Sequence, residues 1–181
     1  MTQLTLPGFA PPPTLASLIR RFDHPMHALA AYPEVEPAIR SQFAKQIGRS
    51  GEFLVDSVTH RYGLRSLPSF EDEPFDRHLI ITPRVFDRMQ IKTQTAPNAM
   101  GNYVFTFAKG YSRSGQGRRP YEAGDYDIKV CVILPLNAVY FTREQGHSVT
   151  ITPLLLRHIL DFPQESLFAA LRPHMMDVTP S

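Results

Sequence analysis

The chain has 181 residues, 43% of them hydrophobic, which suffices for one well-packed domain with decoration at its ends. A formal net charge of +2 excludes a generally polycationic molecule, so affinity for nucleic acid has to come from local clustering. A single cysteine, Cys131, excludes a disulfide framework and most structural zinc sites.

No basic-then-apolar leader is present, and no apolar run approaches ~18 residues, so a soluble, cytoplasmic protein without membrane contact is expected. His24 and His27 stand three apart without neighbouring ligands, and zinc is not expected there. Residues 1–13 end in Pro11-Pro12-Pro13 and predict an extended, mobile leader. Residues 14–35 predict a helical region, with Leu15, Leu18, Ile19, Phe22, Met26 and Leu29 at helical spacing and an interruption at Pro25. A second helix should begin near Pro37, bury Ile39, Phe43, Ile47, Leu54, Val55, Val58 and Tyr62, and stop at a left-handed Gly63. The period then shortens. Residues 64–67, 76–82, 85–95, 103–107, 126–134 and 138–142 read as strands bounded by Pro, Gly and Asn. Cys131, inside the run KVCVIL, reads as a buried strand residue. Residues 153–160 and 164–171 return to helix. An α/β domain with a central mixed β-sheet flanked by helices follows.

Chemistry gathers in three segments, Gly48-Arg49-Ser50-Gly51-Glu52, Pro74-Phe75-Asp76 and Met89-Gln90-Ile91-Lys92-Thr93. Two glycines inside a helix each cost ~1 kcal/mol relative to alanine, so Gly48 and Gly51 imply a close approach to another backbone. Pairing 76–82 with 85–92 through a turn at Pro83 places Asp76 roughly opposite Gln90. Gln90 and Lys92 project from one face, and Met89, Ile91 and Thr93 from the other. Asp76, Gln90 and Lys92 are expected to share a sheet face beneath the helix carrying Glu52. Taken singly, Glu52 reads as an ordinary border carboxylate and Gln90-x-Lys92 as a half-exposed strand. Together they can converge around a divalent cation and hydrolyse phosphodiesters.

These segments resemble the PD-(D/E)xK nuclease superfamily, most closely its branch of group I intron homing endonuclease-like enzymes, in which Gln replaces the usual acid of the final motif. The resemblance spans about residues 45–142, including Tyr121-x-x-Gly124-Asp125-Tyr126-Asp127 and Ala138-Val139-Tyr140-Phe141-Thr142. It implies a restriction-endonuclease-like core over residues 36–145, with 146–181 as a C-terminal helical extension. It further implies a DNA endonuclease using Mg²⁺ or Mn²⁺, with Glu52, Asp76, Gln90 and Lys92 as the catalytic set. Asp76 would be the principal ligand. Gln90 would offer its amide oxygen, with Glu52 and the Ile91 carbonyl as further candidates. Lys92 would contact the scissile phosphate or the attacking water. Asp127 is expected to hold structure rather than metal.

Residues 109–119, KGYSRSGQGRR, carry four cations, three glycines and no acid. Lys109, Tyr111, Arg113, Arg118 and Arg119 are therefore candidates for gripping a DNA backbone, with Tyr103 and Tyr121 nearby; a solvated loop is the alternative. Arg77, His78, Arg84 and Arg88 add cations along the hairpin. Residues 3–9, QLTLPGF, resemble peptides that bind the bacterial sliding clamp, although Pro7-Gly8 departs from the usual run. Two other functional classes stay open: a catalytically inactive nuclease-fold protein that binds nucleic acid or serves assembly, and a homo-oligomer formed through the leucine-rich terminal helices.

Overall fold

The computed structural model describes residue 29, residues 32–110, residue 117 and residues 119–175. The expected leader, most of the expected helical region that follows it, and the clamp-like peptide lie outside these residues. The chain divides into two compact units, Met1–Ala44 and Lys45–Ser181. In the first, helix α1 (Pro37–Gln42) starts on the expected proline. It ends at Phe43, whose N–H donates to the Ile39 carbonyl at 3.1 Å, so the expected continuous helix is broken there.

The second unit opens with α2 (Ala44–Arg61), which buries Ile47, Gly51, Val55, Val58 and Thr59 along one stripe. Gly63 closes it at φ 76°. The Gly63 N–H reaches the His60 carbonyl and the Leu64 N–H that of Thr59, the paired bonds of a Schellman stop. Strand β1 (Arg65–Pro68) follows, then the hairpin of β2 (Arg77–Thr82) and β3 (Val85–Gln94), registered with Arg77 opposite Met89. The crossover from β3 carries three short strands, β4 (Tyr103–Thr106), β5 (Ala108–Lys109) and β6 (Arg119–Pro120), the last two paired as a small hairpin. Strand β7 (Ile128–Ile133) returns parallel to β3. A 3₁₀ turn over Leu134–Leu136, ending on left-handed Asn137, leads into β8 (Ala138–Thr142). The mixed central sheet runs β1-β2-β3-β7-β8. Every residue of β7 is buried, as a central parallel-paired strand requires.

The segment expected as a helical extension first forms β9 (Ser148–Ile151), which pairs antiparallel with β4. Its period-two burial, Val149 and Ile151 in and Ser148 and Thr150 out, is too short to stand out in the sequence. Helices α3 (Pro153–Asp161), capped by the Thr152 hydroxyl accepting from the Leu155 N–H, and α4 (Glu165–Met175) complete the unit. The sheet separates two cores. Val55, Val58, Leu79, Met89, Ile91, Val130 and Leu167 fill one, and Phe105, Phe107, Cys131, Ile133, Ile151 and Ile159 the other. Cys131 is a buried free thiol, as its run implied.

Candidate active site

Asp76 stands immediately before β2, and its N–H donates to the Met89 carbonyl at 2.9 Å, extending the hairpin by one residue. The loop behind it is pinned by the Ser69 hydroxyl donating to the Phe75 carbonyl at 2.5 Å and by the burial of Phe75. One carboxylate oxygen, Oδ2, accepts from the Gln90 amide Nε2 at 2.6 Å and from the Ile91 N–H at 2.7 Å. The expected Asp76–Gln90 pairing is therefore present. Gln90 is 2% exposed, whereas Arg88, Lys92 and Gln94 on the same face of β3 are partly exposed, so that face is half-solvated except at Gln90. Burial pushes the Asp76 carboxyl above its ordinary range, against the Ile91 hydrogen bond and the charges of Lys92 and Arg77.

Gly51 is the point of closest helix–sheet approach. A Cβ there would sit 2.0 Å from Thr93 Oγ1, whereas one at Gly48 would meet nothing within 4 Å. Only Gly51 is required by packing, and what it admits is a side chain, not a backbone. Because Thr93 shares a face with Met89 and Ile91, α2 covers that face and not the one bearing Gln90 and Lys92. This corrects the expectation that Glu52 lies over the Gln90 face. Glu52 turns to the hairpin through Arg77, whose Nη2 lies 3.3 Å from its carboxylate, and Arg49 approaches at 2.7 Å. Burial pushes the Glu52 carboxyl up, Arg77 opposes this, and the Asp76 charge pushes it further up.

Arg77 was expected to add a surface cation. It is 1% exposed, bridges Glu52 and Asp56 (3.1 Å), and buries its Nε without a hydrogen-bond partner. Its position opposite Met89, on the helix-covered face, removes it from the surface. Arg88 clamps Asp127 with its backbone N–H at 2.8 Å and with Nε and Nη2 at 2.9 and 3.0 Å. Burial would raise the Asp127 carboxyl, but these bonds hold it below its ordinary value. Asp127 is accordingly structural.

Lys92 is half-buried, with Nζ 6.0 Å from the centre of the Tyr121 ring. Lys109 Nζ lies 5.5 Å from the same ring and 2.6 Å from Asp125 Oδ2. The acid-free basic segment thus receives an acid from outside itself. Arg119, opposite Lys109 in β6, is exposed; Tyr111, Arg113 and Arg118 lie outside the described residues. Tyr103 is buried in the second core and does not face a substrate. Tyr121, which the sequence placed only near the basic segment, stands against both Lys92 and Lys109. Its place directly after the basic segment was the available signal.

Among the described residues, no three His, Cys, Asp or Glu side chains gather as a metal cluster. The candidate donors are all hard oxygens: two carboxylates, an amide and a main-chain carbonyl. Magnesium commonly needs only one or two carboxylates plus substrate oxygens, so the set fits that ion better than zinc. Among the described residues, no helix is long and apolar enough to cross a membrane.

Sheet order and flanking helices make this a mixed α/β protein, and its fold is nuclease-like by likeness to a solved structure. Among solved structures the chain is similar to the bacterial homing endonuclease I-Ssp6803I, with a TM-score of 0.52 and 17% identity over 60% of this chain and 77% of that one. No protein-family model matches the sequence, and no curated protein matches it.

Proposed function

We propose that the chain is a metal-dependent DNA endonuclease of PD-(D/E)xK type, with Gln90-x-Lys92 as its final motif. The observation that carries this reading is the single Asp76 oxygen held by both Gln90 and the Ile91 N–H, with the Lys92 charge acting on the same carboxylate. The fold likeness to a homing endonuclease supports it.

Asp76, with Gln90, Glu52 and the Ile91 carbonyl as candidate partners, would hold Mg²⁺ or Mn²⁺. The bound ion supplies charge neutralisation at the phosphate and an activated water. The chain's own residues set the remaining conditions. Burial makes Asp76 and Glu52 poor anions alone, which favours them as sites for a cation. Lys92 places a compact positive charge for a phosphate oxygen. Gln90 donates its amide nitrogen to Asp76, which leaves its oxygen as the atom that could ligate.

Purified protein incubated with plasmid DNA and Mg²⁺ or Mn²⁺ should nick or linearise it, and a chelator should stop the reaction. Asp76→Ala and Lys92→Ala should each lower cleavage by at least about a hundredfold with an unchanged circular dichroism spectrum. Gln90→Glu should bind Mg²⁺ more tightly, since it restores a charged ligand. Metal-dependent cleavage equal in wild type and Asp76→Ala would place the activity elsewhere. The second reading, a silent nucleic-acid-binding protein, is favoured by the ion pairing of Glu52 to Arg49 and Arg77. It predicts DNA binding without cleavage under either metal.

A further inference from the structure

The chain has four lysines, Lys45, Lys92, Lys109 and Lys129, and three of them lie over aromatic rings. Lys92 and Lys109 share the Tyr121 ring, and Lys129 Nζ is 5.3 Å from the centre of Phe107. Tyr126 joins the two rings, 5.0 Å from Tyr121 and 6.1 Å from Phe107. A ladder of rings therefore runs from the buried Phe107 to the lysine that acts on Asp76.

Tyr121 directly follows β6, at the foot of the basic hairpin, so one ring meets both the hairpin's cation and the candidate site's cation. A ring quadrupole attracts an ammonium over its face. The half-buried ring is also restrained edge-on by Tyr126 at an interplanar angle of 81°. The Asp76 charge, second to burial, raises the Tyr121 phenol, which puts the ring within electrostatic reach of that carboxylate. The phenol stays protonated through the neutral range, so the ring face rather than the hydroxyl carries the interaction.

We infer that Tyr121 is a positioning residue: its ring holds the Lys92 ammonium beside Asp76 and couples it to the hairpin that would grip phosphate. The catalytic part of this inference rests on the nuclease reading.

Reductive ¹³C-methylation of the full chain gives each lysine a charged dimethylamino reporter. The Lys92 signal, assigned by its loss in Lys92→Arg, should lie upfield of its position in the urea-unfolded chain because of the Tyr121 ring current. Tyr121→Phe should keep that displacement and Tyr121→Leu should abolish it. At saturating DNA, Tyr121→Leu should lower kcat about tenfold, with KM changed less than about threefold, and Tyr121→Phe should stay within about twofold of wild type. A Lys92 signal at the unfolded position in the native wild-type protein overturns the inference without any variant having to fold. Wild-type kcat in Tyr121→Leu overturns it as well. A ring-shifted Lys92 in a wild-type protein that cuts nothing would overturn the nuclease reading and support the ring's hold on the lysine.

Discussion

Asp76 illustrates how one buried carboxylate is at once a candidate ligand and a structural cost. Its two hydrogen bonds do not offset desolvation, so its folded pKa stands above the ordinary carboxylate value. Such a group binds its proton more tightly in the folded than in the unfolded chain. Its favourable contribution is complete below about pH 4, and is lost as pH rises through the folded pKa. Asp76→Asn cannot ionise and keeps an oxygen acceptor for Gln90 and Ile91. It should therefore abolish cleavage yet unfold at an equal or higher temperature than wild type at pH 7. The difference should close below about pH 4. A lower Tm for Asp76→Asn at pH 7, measured by calorimetry without metal, would show that the charged form is better solvated than its burial implies. Asp127 has the opposite sign: its depressed pKa stabilises the fold above the unfolded value, and that stability is lost on acidification.

At the scale of elements, α2 and β3 meet through one missing methyl group. Gly51→Ala must displace Thr93 or lift the helix, an overpacking change that costs about 1–3 kcal/mol. Gly48→Ala meets open space and should instead stabilise by up to ~1 kcal/mol. Urea unfolding of both variants, with Thr93→Ala added to Gly51→Ala as a partial rescue, measures the contrast. Equal effects at the two glycines would remove Gly51 from the interface. Most of these elements were legible because their signals are local: Pro37 and Gly63 bracket the helices, Pro83 marks the hairpin turn, and apolar alternation runs through 85–94. Three features were not. The face of β3 that receives α2 depends on tertiary packing, and Gln90 is polar yet 2% exposed. Arg77 looks like a surface cation until Glu52 and Asp56 are brought to it. The break at Phe43 carries neither glycine nor proline. The Asp76–Gln90 pair was readable because hairpin register propagates from the turn, whereas Glu52 lies across a helix–sheet contact that no sequence period encodes.

For the molecule as a whole, the proposed DNA grip rests on the hairpin that β5 and β6 begin and end. Lys109 is already paired with Asp125, so the proposed phosphate contacts fall to the segment's other three cations, Arg113, Arg118 and Arg119. The salt slope they add should be about −0.9 × 3, near −2.7. Replacing the three with alanine should flatten the dependence of log K on log[salt] by that amount for every sequence tested, because phosphate contacts carry no base information. Cleavage at saturating DNA should fall far less. An unchanged slope in fluorescence-anisotropy titrations from 50 to 200 mM salt, about the range in which such contacts are lost, would make the hairpin a solvated loop.

The clamp between Arg88 and Asp127 joins residues 39 apart, at the end where the parallel pairing of β3 with β7 begins. The Asp127 N–H also returns to the Arg88 carbonyl at 2.9 Å, one step before the Met89–Ile128 pair, so the register of β7 on β3 is pinned where β7 begins, after the chain has left β3 at Gln94. With that register held by the clamp, doubling the length of the crossover between Gln94 and Asp127 costs only ~0.6 kcal/mol. The segment that would meet the substrate can thus be lengthened, trimmed or exchanged while the strand bearing Gln90 and Lys92 stays in place. In an evolving lineage, the strand with the candidate ligands and the tip of the basic hairpin can then change separately, with the Tyr121 ring, which meets both lysines, as their one shared part.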